Sequence, residues 1–576
     1  MKTVVRFCSI IFILLTTLTA VQSQSPAELL QDAKEVTPAD YYRLSQEADQ
    51  FYQQQNHVKA AEAYEKLTRI YPLDGPKWRR LAMSLYRAGK FREAIQPFLK
   101  ANEFGMAFNS QYNALYLAES YARAGDKENA LLWLEKTLYE FRFNQKPSLL
   151  KNAAFDSLKD NPRFRQLLGL LPNRKFSRDE GWRYDVDYLL SEVKRVNPVY
   201  SREPLPSDLI KAAAELKKQI PKLSNEQIMY EMQHLLVLLR QSHNTLFQSG
   251  NMVKLTQLPL TFYAFPEGLF VIDAAAPYEN LIGARVLRFD DSTAEKALNA
   301  VGYIIGREND MAVISTGPDR LKILQVLYTL KLTAKPDRVN LTLTDREGKT
   351  ITVSPEPVPL GSRQKLKAPR IAGLGSAPMY LTKPDDEYWF EYLPENKTIY
   401  LQYNQVEDKE DESLARFGLR LRDFLAKNEV RNLIVDVRRN NGGSTFTDAE
   451  LLRTLIDFDS KKENRLFVLT GRYTFSAASN FITDVDRLTN AVFAGEPSGG
   501  KPLMVGGDES PVLLPYGGVG GSISSTSWAL TEPRDTRLWI SPDIPVQLTA
   551  KDYFANRDTI METIMTLINQ KIERTN

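Results

Sequence analysis

Three short stretches of the chain carry residue types suited to acyl transfer: Asn440-Asn441-Gly442-Gly443, Thr474-Phe475-Ser476-Ala477-Ala478-Ser479 and Gly495-Glu496-Pro497-Ser498-Gly499-Gly500-Lys501. A serine placed where a loop enters a helix has its hydroxyl beside backbone N–H groups that the helix itself cannot satisfy. Such donors can stabilise an oxyanion. Paired glycines after an apolar strand let the backbone approach a substrate and add further donors. A lysine can accept a proton if its site dries it out, and a histidine can do so without large perturbation. Each feature also has a plain structural use: Ser476 as a helix cap and the glycine pair as a tight turn.

These residues need strands and helices that bring them together, and the second half of the chain has that pattern. Segments at 398–403, 432–437, 465–469 and 491–494 read as strands, and those at 414–426, 447–456 and 477–487 as helices. Strands alternating with helices of ten or more residues imply an α/β layer with parallel pairing, with Leu433-Ile434-Val435 as its buried centre. Before it lie a helical block over 179–255, a strand-rich block over 256–358 and a Pro-, Gly- and Lys-rich linker over 359–395; the α/β core runs from 396 to 570.

The first third is helical and repetitive. Tyr52 and Ala60 recur 34 residues later as Tyr86 and Ala94, and Arg87-Ala88-Gly89 returns as Arg123-Ala124-Gly125 after 36 residues. This spacing resembles tetratricopeptide repeats, which implies an all-α solenoid over 37–170, closed by a short helix at 155–164. Such an array implies either a concave surface for a protein partner or a spacer.

Residues 1–23 read as an export signal: Lys2 and Arg6 precede an apolar core from Ile10 to Leu18, with small residues near Ala20 and Ser23. Cleavage would leave an exported, periplasmic or secreted chain with no later apolar run of membrane length. It would also remove Cys8, the only cysteine, which excludes cysteine catalysis and cysteine metal sites. Lys plus Arg (74) nearly balances Asp plus Glu (71), so no strong field points to nucleic acid. His57, His234 and His243 are scattered and make a zinc centre a poor fit; no metal or organic cofactor is expected.

The order strand-Asp-x-Arg-x-Asn-x-Gly-Gly, Ser-Ala-Ala before a helix, Gly-Glu-x-Ser-x-Gly and Ser-Pro-Asp-Ile-Pro-Val resembles the C-terminal processing peptidase and tricorn-core serine peptidase family. The resemblance spans about 179–567 and implies a crotonase-like fold for the α/β core. The strand-turn-helix order from 284 to 301 is similar to part of a PDZ-like module. Carried over by motif, Ser476 is the nucleophile, and Ala477 N–H with that of Gly442 or Gly443 forms the oxyanion hole. The base stays open. One branch of the family implies Lys501, twenty-five residues after the serine, although Pro502 follows it and Val505 stands where that branch places a glutamine. The other implies His243, preceded by Ser242, with a carboxylate supplied by Asp535 or Glu532.

The resulting expectation is an exported serine endopeptidase that hydrolyses peptide bonds of a peptide or unfolded protein through a Ser476 acyl-enzyme. The alternatives are a non-catalytic peptide-binding scaffold with partner-recruiting repeats, and an esterase using the same centre.

Overall fold

The computed structural model describes residues 36–105, 110–141, 143, 145–172, 174–362, 377–506, 510–529 and 534–570. The chain divides into two compact units at Leu168/Gly169. The expected signal segment and Glu532 lie outside the described residues. Among those described, no helix is long and apolar enough to cross a membrane.

The first unit is built from consecutively packed helices Pro38–Gln53, His57–Ile70, Gly75–Arg87, Phe91–Glu103, Ser110–Arg123 and Lys127–Tyr139. Their starts are local events: the side chains of Asn56, Asp74 and Asp126 accept the N–H groups of Lys59, Lys77 and Asn129. Their ends use Gly89 and Gly125 at φ 78° and 85°, a region that favours glycine. Ala48, Ala60, Ala94 and Ala114 are fully buried, so small residues mark the close approaches between helices. Phe155 and Phe164, with ring centroids 5.9 Å apart, fill the closing turns.

The second unit has two cores. In one, helices Arg178–Val196, Ser207–Gln219 and Asn225–Val237 share their buried residues with a six-stranded antiparallel sheet, in which Ser292–Thr293 pairs with Arg285–Phe289 off the path of the other five strands. Its order is Leu260–Phe265, Gly268–Ala274, Arg285–Phe289, Leu341–Thr344, Thr350–Val353. Val512, Leu514 and Ile523 from far down the chain join this core, so the blocks expected at 179–255 and 256–358 pack as one body with part of the C-terminal region.

The other core surrounds a six-stranded sheet ordered Tyr388–Leu393, Thr398–Tyr403, Asn432–Asp436, Arg465–Thr470, Val492–Gly495, Ile544–Pro545. The first pair is antiparallel and the rest are parallel. Both faces of Asn432–Asp436 are buried, which explains its unbroken apolar centre. Leu433 and Val435 join a core with helices Leu414–Lys427, Ala449–Asp459 and Ala477–Leu488, while Ile434 joins Ile560 and Ile564 of helix Thr559–Asn569. The linker expected at 359–395 is corrected at its end: Tyr388–Leu393 is the antiparallel edge strand, with Tyr388 and Trp389 buried. Proline and glycine punctuation stops before this segment, and composition averaged over the whole stretch hides it.

Candidate active site

Ser476 stands between strand Arg465–Thr470 and helix Ala477–Leu488, at φ 55° and ψ −126°. A non-glycine residue there carries a backbone cost of about 1–3 kcal/mol, and the surroundings must hold it. They do so through Thr474, fully buried one residue before Phe475. Its hydroxyl donates to Val437 O at 2.9 Å and accepts from Gly471 N at 3.0 Å, while its carbonyl accepts from Gly499 N, Gly500 N and Ser479 Oγ. Phe475 N donates to Asn440 O at 3.1 Å. The Ser476 side chain makes no capping bond to its helix. Its hydroxyl is instead 3.1 Å from His243 Nε2.

His243 reaches Ser476 across 233 positions of sequence. The strand that follows it, Thr245–Phe247, pairs with Gly520–Ile523, which pairs in turn with Ser510–Leu513. Asn244 Oδ1 accepts from Ser524 N at 2.8 Å, and Ser522 Oγ donates to His243 O at 3.3 Å. The imidazole lies against Phe475, with centroids 4.6 Å apart at 21°. Its Nδ1 is 3.3 Å from Ser242 Oγ. With the proton on Nδ1, donated to Ser242, Nε2 presents a lone pair to the Ser476 hydroxyl. Burial disfavours the charged ring and pushes its pKa down to about 4.

Of the candidate oxyanion donors, Gly443 and Ala477 have N–H groups that meet no acceptor among the described residues. Gly443 bridges Val406 in a parallel register through Gly442 O and Ser444 N, so its own amide faces away from that segment. Gly442 is corrected: its N–H donates to Asn440 Oδ1 at 2.9 Å and is already in use. Its role is close approach, since a Cβ there would come within 2.6 Å of Ser476 Cβ.

Lys501 is half-buried, and no hydrogen bond or ion pair joins it to Ser476 among the described residues. Asp535 is also drawn elsewhere. Arg537 binds it through N, Nε and Nη2, holding its carboxyl below the usual range, and ties it to Asp486 rather than to Ser242 or His243. Glu532 lies outside the described residues. The Gly-Glu motif therefore has a positioning role: Glu496 pairs with buried Arg472, and Gly499 and Gly500 clamp the carbonyl of Thr474. A Cβ at either glycine would meet Arg472 O at 2.4 Å or Ser479 Oγ at 2.3 Å.

Three positioning residues escape a sequence reading. Asn440 orients the glycine turn while its Nδ2 donates to Tyr403 O at 3.0 Å; the asparagine ahead of the glycine pair was its signal. Thr474 had no signal beyond proximity to Ser476. Gly506 supports His243, because a Cβ there would lie 2.0 Å from Nδ1. Gly506→Ala is expected to displace the imidazole and lower kcat about a hundredfold, with thermal stability close to wild type. A peptide-turnover assay beside a melting curve measures both; unchanged turnover would remove Gly506 from this role.

An aromatic pair joins the segment after the glycine turn to the strand Ser527–Ala529. Phe446, three residues beyond Gly443, is 80% exposed, and its ring lies 5.5 Å from that of Trp528. Trp528 pairs with Met504, two residues before Gly506.

No family model matches the chain, and no curated protein matches it. Solved structures do. The chain is similar to mature CPAF complexed with lactacystin, at 14% identity and a TM-score of 0.49, over 68% of this chain and 99% of that one. It is similar to the photosystem II D1 C-terminal processing protease at 14% identity and a TM-score of 0.32, over 64% and 94% of the two chains. A putative S41 protease from Bacteroides fragilis is similar at 14% identity and a TM-score of 0.29, over 69% and 98%. At such values the chemistry rests on the distances around Ser476.

Proposed function

We propose that the chain is a serine endopeptidase that cleaves unstructured peptides through a Ser476 acyl-enzyme. The single observation that carries this reading is the 3.1 Å contact between His243 Nε2 and an uncapped Ser476 hydroxyl. Ser476 Oγ attacks the scissile carbonyl as its proton passes to His243 Nε2. The carbonyl oxygen becomes an oxyanion held by the N–H groups of Gly443 and Ala477, the latter at the positive end of its helix. Collapse breaks the C–N bond, and the imidazolium gives its proton to the leaving amine. Water then attacks the acyl carbonyl as its proton passes to His243; collapse breaks the C–Oγ bond, and the imidazolium returns its proton to Ser476 Oγ as the acid product leaves.

The burial that lowers the His243 pKa keeps the ring neutral, and thus a base, at ordinary pH. Phe446 and Trp528 favour substrates with a large apolar side chain near the scissile bond. The motif order supports placing the second unit with the processing and tricorn-core peptidases and its α/β core with the crotonase-like fold. The repeat spacing supports a tetratricopeptide array that recruits a protein partner, and the apolar leader supports export.

A fluorophosphonate probe tests the core of this reading. Expected is a single adduct mapped to Ser476, together with cleavage of an unstructured peptide library. Absence of labelling alongside tight peptide binding would establish the scaffold in its place.

A further inference from the structure

Behind the nucleophile loop lies a cavity of about 400 Å³ whose walls include Tyr263, Tyr380, Tyr473, Tyr553, Arg439 and Arg472. That volume lies in the range of small-molecule sites. Tyr263 and Tyr553 stack nearly parallel, 9° apart at 6.2 Å, and the Arg438 guanidinium sits 4.3 Å over the Tyr380 ring. None of the four tyrosine hydroxyls has a hydrogen-bond partner among the described residues. The cavity is therefore walled by flat apolar surface and edged with unused hydroxyl groups.

Its charges are unequal in their pairing. Arg438 is bound by Asp436 and Asp558, each at 2.7 Å, from behind the wall. Arg472 is bound by Glu496, the carboxylate that lines the cavity. Arg439 donates only to the carbonyl of Tyr380, at 3.4 Å, and no carboxylate lies within ion-pair distance of it among the described residues. A guanidinium with spare donors at the edge of an aromatic chamber matches one planar anionic group.

We propose that this cavity binds a small organic monoanion with a flat apolar body, its carboxylate on Arg439 and its ring among the tyrosines. The site is coupled to the catalytic turns by chain connectivity. Arg439 precedes Asn440, which fixes Gly442 N and Phe475 N, and Tyr473 lies three residues before Ser476.

The test is calorimetric titration of the full chain with phenylacetate and with its uncharged twin, phenylacetamide. No peptide turnover is involved, so the outcome is independent of the peptidase reading. Expected is saturable binding of the carboxylate, weakened about tenfold or more both in the amide and in Arg439→Gln, as for loss of a charge-assisted bond. Tyr263→Leu serves as a second variant if Arg439→Gln does not fold, and it too should weaken binding. Absence of binding up to about 10 mM, equal affinity for the amide, or affinity unchanged in a folded variant would overturn the proposal.

Discussion

Ser476→Ala is expected to lower kcat for peptide cleavage by about 10⁴- to 10⁶-fold, because no other group takes over covalent attack and only binding and the oxyanion donors remain. The fold should barely respond. The hydroxyl caps no helix, alanine meets the same φ of 55°, and the loop is held by Thr474 and Phe475 rather than by the serine side chain. A stability change within about 1 kcal/mol is the expectation. The check is a fluorogenic peptide assay on wild type and variant with melting curves of both. Equal turnover would end the assignment of Ser476, and loss of turnover with a collapsed melting temperature would show that the residue is structural.

His243→Ala should cost about a thousandfold or more in kcat, while Lys501→Ala leaves it within about threefold. The pH profile provides an independent reading. A histidine base works in its neutral form, and the neutral fraction falls as pH drops through its pKa. Burial places that pKa near 4, so the acid limb of kcat/KM is expected about there, not near the ordinary histidine value of about 6.5. A lysine base would place the limb far higher, toward the free-amine value of about 10 unless strongly desolvated. A limb at neutral or alkaline pH, or a large loss in Lys501→Ala, would shift the base role to lysine.

The sequence made some of this site readable and hid the rest for physical reasons. Ser476 stood out because its helix entrance, the glycine pair and the Gly-Glu motif are local features that occur in a fixed order. The choice between His243 and Lys501 was out of reach, since it depends on strand Thr245–Phe247 pairing with Gly520–Ile523, a contact that no local pattern encodes. The choice between Gly442 and Gly443 turned on one side chain: Asn440 takes the first amide and leaves the second. Lys501 is a candidate because it closes the Gly-Glu motif twenty-five residues after the serine, but the glycines of that motif serve the carbonyl of Thr474. The alternation of strands and helices was plain from 398 onward. The edge strand Tyr388–Leu393 was missed because antiparallel pairing needs no intervening helix, and it sits beside linker-like composition.

The pairing that delivers His243 also sets a schedule for the chain's own synthesis. Ser476 is made long after His243, and the strands that fix the histidine, Ser510–Leu513 and Gly520–Ile523, are made later still. A nascent chain that has passed Ser476 but not reached the 520s holds Ser476 and no strand partner to keep His243 against it. Domains form as their segments emerge, and non-local strands close last. On the proposed reading, a product truncated before Gly520 is expected to lack the strand that places His243 against Ser476, and so to be inactive.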